Sequence, residues 1–407
     1  MKRKILSIIL ILALIFPAIP AAASGTFRDV SETAWYYTAV ELAARRGLIQ
    51  GRGNGAFDPG GALTAAEAVK LAAVLHGSFA EKTPIFPAGD PWVSPYADYA
   101  AQNGIAPILE DYGASATRAQ FAEYIRNALP ESALEEINVI AGYDICDVPG
   151  DRPYSESVYA LYRAGIFTGG DGYNAFLPDR PVTRAQACAV LTRAAESAGR
   201  VKLSLPKTIP AEEIYKRSAD AVFTIETFDK AGEPVRTGTG FFIAPGGVAA
   251  TNLHVFDGAV TAVVTLKSGD TAALAGVCAF DRVSDLALLR LGGDFPYLTL
   301  ADSDLVSAGD GVYSLGSPLG LAGTFSKGVI GYTDRVVGEK TFLQFTSYIS
   351  QGSGGGALLD TLGRVVGVTS SSFAAGQALN LATPSNLIKE LTPGELVPLR
   401  ALAEASV

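Results

Sequence analysis

Two hydrophobic periodicities divide this chain. In the first half, apolar residues fall at helical spacing in short blocks, as at Ala39, Val40 and Ala43, and each block leads through a glycine-rich loop into a second apolar helix. Past Pro210 the texture changes to short apolar strands broken by glycine. Gly238 to Ile243 reads as a strand, Gly246-Gly247 as a turn, and Val248 to Ala250 as a strand running into Thr251-Asn252-Leu253-His254-Val255. Leu286 to Leu289, Thr324 to Ile330 and Leu343 to Thr346 continue the series, and Pro384 to Leu391 reads as a closing helix. The pattern predicts a multidomain chain, all-α in front and all-β behind, with 197–210 as linker.

The helical pattern recurs three times between residues 27 and 196. In its clearest copy Phe27, Asp29 and Val30 lead to Trp35-Tyr36, then Gly47-Leu48-Ile49, Gly51, Gly55, Phe57 and Pro59, and finally Thr64-Ala65-Ala66-Glu67 opening the second helix. The third copy restates this with Pro153-Tyr154, Gly165-Ile166-Phe167, Gly169, Gly172, Phe176, Pro178 and Thr183-Arg184-Ala185-Gln186. The middle copy keeps Trp92, Tyr96, Gly104-Ile105 and Thr117-Arg118-Ala119-Gln120 with a shortened loop. The predicted units are 24–78, 79–135 and 136–196. Each Thr-x-x-Glu/Gln tetrad predicts a capping box, the threonine hydroxyl and the third-position side chain satisfying each other's backbone N–H groups.

These motifs resemble the S-layer homology repeat, whose trios form a three-pronged helical bundle. The resemblance implies attachment to pyruvylated secondary cell-wall polymer, with Arg118 and Arg184 of the tetrads, and Trp35, as polymer-binding residues. The first tetrad carries Ala65 where the others carry arginine, so one of the three grooves departs from the pattern.

An exported location agrees with the first residues. Lys2, Arg3 and Lys4 precede an apolar run from Ile5 to Phe16, and Ala21-Ala22-Ala23 offers a cleavage site, so a signal peptide over 1–23 is expected, with no transmembrane helix after its removal. Removing those three cations from 32 Lys and Arg leaves 29 against 41 Asp and Glu, a net charge of −12 that excludes nucleic acid as a natural partner. Cys146, Cys188 and Cys278 fit no metal knuckle. Free buried thiols are the expectation, with a Cys146–Cys188 bridge left open.

The chain has two histidines. His76 falls in a repeat helix, whereas His254 ends the strand phrase Thr251-Asn252-Leu253-His254-Val255. Ser284-Asp285-Leu286-Ala287-Leu288-Leu289 places an acid just ahead of an apolar run, and Ser314-Leu315-Gly316-Ser317-Pro318-Leu319-Gly320 and Gly352-Ser353-Gly354-Gly355-Gly356-Ala357-Leu358 follow in order. The four motifs resemble the trypsin-like serine proteases of the HtrA type across most of residues 211–392. The implied domain, 211–400, is a pair of six-stranded β-barrels with the site between them. His254 would be the general base, Asp285 its orienting acid, and Gly352 and Gly354 the oxyanion N–H donors. Tyr348 falls where the family lines its primary pocket, and Gly367, Val368 and Thr369 where an edge strand pairs with extended peptide.

Counted from either flank, the family's nucleophile position is Gly354, and Ser353 precedes it. Consecutive α-carbons lie about 3.8 Å apart, too far for Ser353 simply to take over a serine–histidine contact. Three readings stay open: a noncatalytic surface adaptor that binds extended peptides, a serine endopeptidase in which Ser353 attacks after the loop resets, or a changed chemistry with His254 activating water. No metal or cofactor is called for, and no peptide-binding module is expected after the closing helix. The location implied is the cell surface.

Overall fold

The computed structural model describes residues 25–80, 84–142, 144–150, 152–171, 173, 175–317, 323–370 and 380–404. The expected signal segment lies outside the described residues, as do Gly172 and Pro318 to Gly320 of the motifs.

The front half contains α1 (Tyr37–Arg45), α2 (Ala65–Phe79), α3 (Ser94–Gln102), α4 (Arg118–Ala128), α5 (Ser155–Arg163) and α6 (Arg184–Ala195). Thr64, Thr117 and Thr183 cap α2, α4 and α6 with complete capping boxes, so all three tetrads do what their spacing predicts. The repeats do not fold as separate units. Helix α1 packs on α6, α2 on α3 and α4 on α5, and the segments just ahead of the long helices meet through the bridges Ala62–Thr183, Thr64–Ser115 and Thr117–Pro181. One core, with Phe57, Leu75, Phe121, Tyr162 and Phe176 fully buried, runs through all three repeats. Repeats one and three share a loop lock. The Asp29 carboxylate accepts from the Phe57 and Asp58 N–H groups at 2.7 Å each, and that of Asp147 from Phe176 and Leu177 at 2.7 and 2.6 Å.

The back half opens with α7 (Ala211–Ser218). The strands β1 (Val222–Phe228), β2 (Pro234–Ala244), β3 (Val248–Asn252), β4 (Thr261–Leu266), β5 (Thr271–Ala272), β6 (Leu274–Asp281) and β7 (Leu286–Leu291) form one sheet in the order β5-β4-β1-β2-β3-β7-β6. A closed barrel follows, built in the order β10-β13-β12-β11-β8-β9 from β8 (Gly311–Gly316), β9 (Thr324–Val337), β10 (Lys340–Phe345), β11 (Ala357–Leu359), β12 (Val365–Ser370) and β13 (Asn380–Pro384). The expectation of two six-stranded barrels therefore holds only for the second. Among the described residues the first is a seven-stranded sheet in which the end strands β5 and β6 do not pair with each other. The closing helix is also shorter than expected: Pro384 ends β13, and α8 spans only Asn386–Glu390.

A terminal strap covers the β6 end of the open sheet. Val277 and Val397 exchange backbone hydrogen bonds of 3.0 and 2.8 Å, and α9 (Leu399–Glu404) buries Leu399 and Leu402 in a cluster with Leu253, Val255 and Phe256 around the His254 turn. The linker is pinned as well, Ile209 N–H donating to Thr361 O at 2.9 Å. The halves touch through Tyr297 Oη–Asp179 Oδ2 at 2.5 Å, Arg152 Nη2–Ile243 O at 3.1 Å and Arg217 Nη2–Asp171 Oδ2 at 2.7 Å.

All three cysteines are free and buried. Burial pushes the Cys146 and Cys188 thiols up to about 12, so neither presents a thiolate at neutral pH. A disulfide-exchange reagent is expected to label three thiols per chain in denaturant and none within minutes under native conditions. One thiol in denaturant before reduction would instead indicate the bridge.

Candidate functional site

His254 lies not at a strand end but two residues beyond it, in a short 3₁₀ turn, Leu253–Phe256, that follows β3. Asp285 takes the left-handed region at φ 58°, a conformation uncommon outside glycine. The turn so made aims its carboxylate at His254 and its carbonyl at the two residues before it. Asp285 Oδ1 accepts from His254 N at 2.9 Å and Oδ2 meets His254 Nδ1 at 2.6 Å, while its carbonyl accepts from Leu253 N at 3.1 Å and Asn252 Nδ2 at 3.0 Å. A carboxylate at Nδ1 keeps the proton there, leaving Nε2 as the basic nitrogen. The two residues that the family resemblance nominates are thus brought together, about a fifth exposed each (21% and 20%).

The glycine-rich loop packs from the barrel side against β2 and β3 of the sheet that carries His254. Gly352 and Gly355 take φ 93° and 86°, and a Cβ on Gly355 would lie 2.2 Å from Thr239 O and 2.3 Å from Thr251 Oγ1. On Gly356 it would lie 2.8 Å from Leu315 O. Backbone crowding or a left-handed φ therefore demands glycine at 352, 355 and 356. Ser353 is 4% exposed, and its Oγ accepts from Ser350 N at 3.2 Å, within its own loop.

One residue missed by the motif reading ties the loop down. Thr239 of β2 donates from Oγ1 to Gly352 O at 2.7 Å and from N–H to Gly354 O at 2.8 Å; its Oγ1 accepts from Ser317 N at 2.9 Å, and its carbonyl accepts from Thr251 Oγ1 at 2.6 Å. On the other side Thr369 Oγ1 donates to Ser353 O at 2.7 Å, and Thr369 O accepts from Gly355 N at 2.8 Å. The only sequence signal was threonine at strand positions that burial would otherwise give to valine.

Two expectations need correction. Tyr348 is 67% exposed, its backbone held by Ser326 Oγ and Ser314 Oγ at 3.0 Å each, so its side chain does not floor a pocket. Gly367, Val368 and Thr369 form no edge: β12 pairs β11 on one side and β13 on the other. Alternation alone cannot tell a central strand from an edge, and the continuation beyond Ser370 lies outside the described residues.

In the helical half the tetrad arginines are walls rather than free arms. Arg184 is 2% exposed, donates to Phe57 O at 2.9 Å, pairs Glu67 at 2.9 Å and lies over the Phe57 ring; Arg118 is 4% exposed and donates to Phe176 O at 2.5 Å and Thr168 O at 3.2 Å. Burial pulls both guanidinium pKa values down. Each borders a groove assembled from three repeats. Arg184 meets Trp92, Arg52 and Lys70 in a cavity of about 360 Å³, and Arg118 meets Trp35, Asp171 and Arg193 in one of about 390 Å³. The third groove, about 480 Å³ beside Gly104–Leu109, has Glu123 where the first has Lys70.

Comparison with known proteins returns two families. Residues 238–368 match the trypsin-like peptidase domain, and residues 26–69 and 147–188 match the S-layer homology domain. The putative serine protease HhoA of Synechocystis is 32% identical over 238 residues, covering 53% of this chain and 60% of that protein. A probable periplasmic serine endoprotease, DegP-like, of Bartonella henselae is 31% identical over 176 residues, covering 40% of this chain and 35% of that protein. The chain thus spans 60% or less of the length of these curated relatives. A solved HtrA-type protease, AlgW with tripeptide, is 30% identical with a TM-score of 0.41, covering 45% of this chain and 62% of that one.

Thr239→Val removes one acceptor and one donor from a dry junction, leaving Gly352 O and Ser317 N unpaired. It is expected to destabilise the chain by about 2–4 kcal/mol in urea denaturation, while Thr239→Ser stays near the natural protein.

Proposed function

We propose, for a chain that joins S-layer homology segments to a trypsin-like peptidase domain of the HtrA-related kind, that it is an exported surface protein that docks on anionic cell-wall polymer and holds extended polypeptide in a protease cleft lacking its serine. The carrying observation is the glycine spacing of the loop. The family's frame sets a glycine two residues before the nucleophile and two directly after it, and the three positions where this backbone requires glycine, 352, 355 and 356, fit that frame with the nucleophile at Gly354. Ser353, the nearest hydroxyl in sequence, is bonded back into its own loop.

What remains suits binding. Gly352 and Gly354 would present the N–H groups that receive a carbonyl oxygen, and Asp285 would hold the His254 imidazole in a fixed orientation beside it. Without the hydroxyl there is no acyl-enzyme route, and loss of the nucleophile alone costs on the order of 10⁶ in turnover in comparable triads. In the helical half, the cationic Arg52 and Lys70 and the aromatic Trp35 and Trp92 would face an anionic saccharide, with buried Arg118 and Arg184 setting the groove walls. The proposed location is the cell surface, and the proposed partners are pyruvylated cell-wall polysaccharide and a polypeptide.

Purified residues 24–407 treated with a fluorophosphonate probe are expected to stay unlabelled, whereas Gly354→Ser becomes labelled at position 354, and Gly354→Ser with His254→Ala does not. An adduct on Ser353 of the natural chain would overturn the reading and make the protein an active serine hydrolase.

A further inference from the structure

In the groove bordered by Arg118 a carboxylate comes from the loop, whereas the Glu67 carboxylate of the Arg184 groove pairs with Arg52 and Arg184 of the repeats themselves. Gly170 stands where the first repeat carries Arg52, and the next residue, Asp171, puts a carboxylate into the lining. For an anionic ligand that carboxylate is a repulsive neighbour. Its Oδ1 is committed to the loop, accepting from Tyr173 N and Ala175 N at 2.9 Å each. Its Oδ2 accepts from Arg217 Nη2 at 2.7 Å, and Arg217 belongs not to the repeats but to α7 of the peptidase half.

Arg217 is built into this position. Its Nε donates to Glu213 Oε1 at 2.7 Å and its guanidinium lies 5.1 Å over the Tyr173 ring. Tyr173 in turn packs on the peptidase core cluster that contains Ile214, Leu315, Ala357 and Val365. Helix α7 is held to the barrel through Tyr215, whose ring meets Phe325 edge-on at 5.6 Å. The neutralising charge is therefore fixed by the peptidase fold. The pair is only partly exposed, 27% for the arginine and 23% for the aspartate, so solvent screens it incompletely.

We infer that the peptidase half completes this polymer groove: Arg217 is a positioning residue that cancels the Asp171 charge and holds the groove wall, so anionic saccharide binds there well only while α7 is docked. By linkage, ligand in the groove stabilises the docked arrangement by the same factor. This inference rests on the reading of the repeats as polymer-binding.

The test uses the full mature chain carrying Arg52→Ala and Lys70→Ala to silence the Arg184 groove, titrated calorimetrically with pyruvylated cell-wall polysaccharide. Adding Arg217→Ala is expected to weaken binding by about 5- to 10-fold, the range of a modest coupling. Adding Asp171→Asn as well should restore it, because the amide keeps the Oδ1 acceptor without the charge. Unchanged binding in Arg217→Ala would overturn the inference, as would a loss that Asp171→Asn fails to restore. No binding by the natural chain, with both grooves intact, would overturn the polymer reading itself, which the variant pair alone cannot do.

Discussion

The peptidase half depends on the junction at Thr239. This threonine belongs to the open sheet, yet its hydroxyl and N–H hold Gly352 and Gly354 of the barrel's loop and receive Ser317 from a second barrel segment. The His254–Asp285 pair hangs on the same sheet, on the strands β3 and β7 that pair through Asn252 and Leu286. One buried residue thus ties the barrel's loop to the sheet that carries the imidazole. Burial strengthens each bond, and it also makes each one costly to leave unmade. None of these bonds uses the residue-354 side chain, so the junction does not depend on what stands there.

The helical half relies on a different constraint, reciprocity between repeats. Each tetrad arginine is buried beneath a neighbour's loop: Arg184 holds the carbonyls of Gln50 and Phe57, and Arg118 those of Thr168 and Phe176. A buried guanidinium is tolerated when oxygens take up its donors, and among the described residues Arg184 has three such partners and Arg118 two. Ala65 removes one such strut, and the neighbouring groove carries Glu123 where the first has a cation. The same logic of borrowed charge extends across the domain boundary, where Arg217 answers Asp171.

Much was legible in the residues because local physics wrote it. Capping boxes need only four consecutive positions, and Thr64, Thr117 and Thr183 formed them as spaced. Asp285 and His254 could be nominated because the short phrases around them resemble the motifs of the trypsin-like proteases. Thr239 was not legible, since a buried threonine in a strand gives no sign of which loop it will meet more than a hundred residues away. Tyr348 and Gly367 to Thr369 were misjudged for the same reason: exposure and strand order are properties of the assembled barrel, not of a six-residue phrase.

By itself the sequence determined the two textures, the threefold helical pattern, the capped helix starts and the absence of a serine at residue 354, all of which follow from periodicity and short-range bonding. Tertiary structure alone decided that the first β-unit is an open sheet sealed by a terminal strap, that the tetrad arginines are buried struts, and that a peptidase arginine faces a repeat aspartate. Those outcomes depend on which distant segments share a dry contact. There the cost of an unpaired polar group selects partners, and no window of neighbouring residues contains that information.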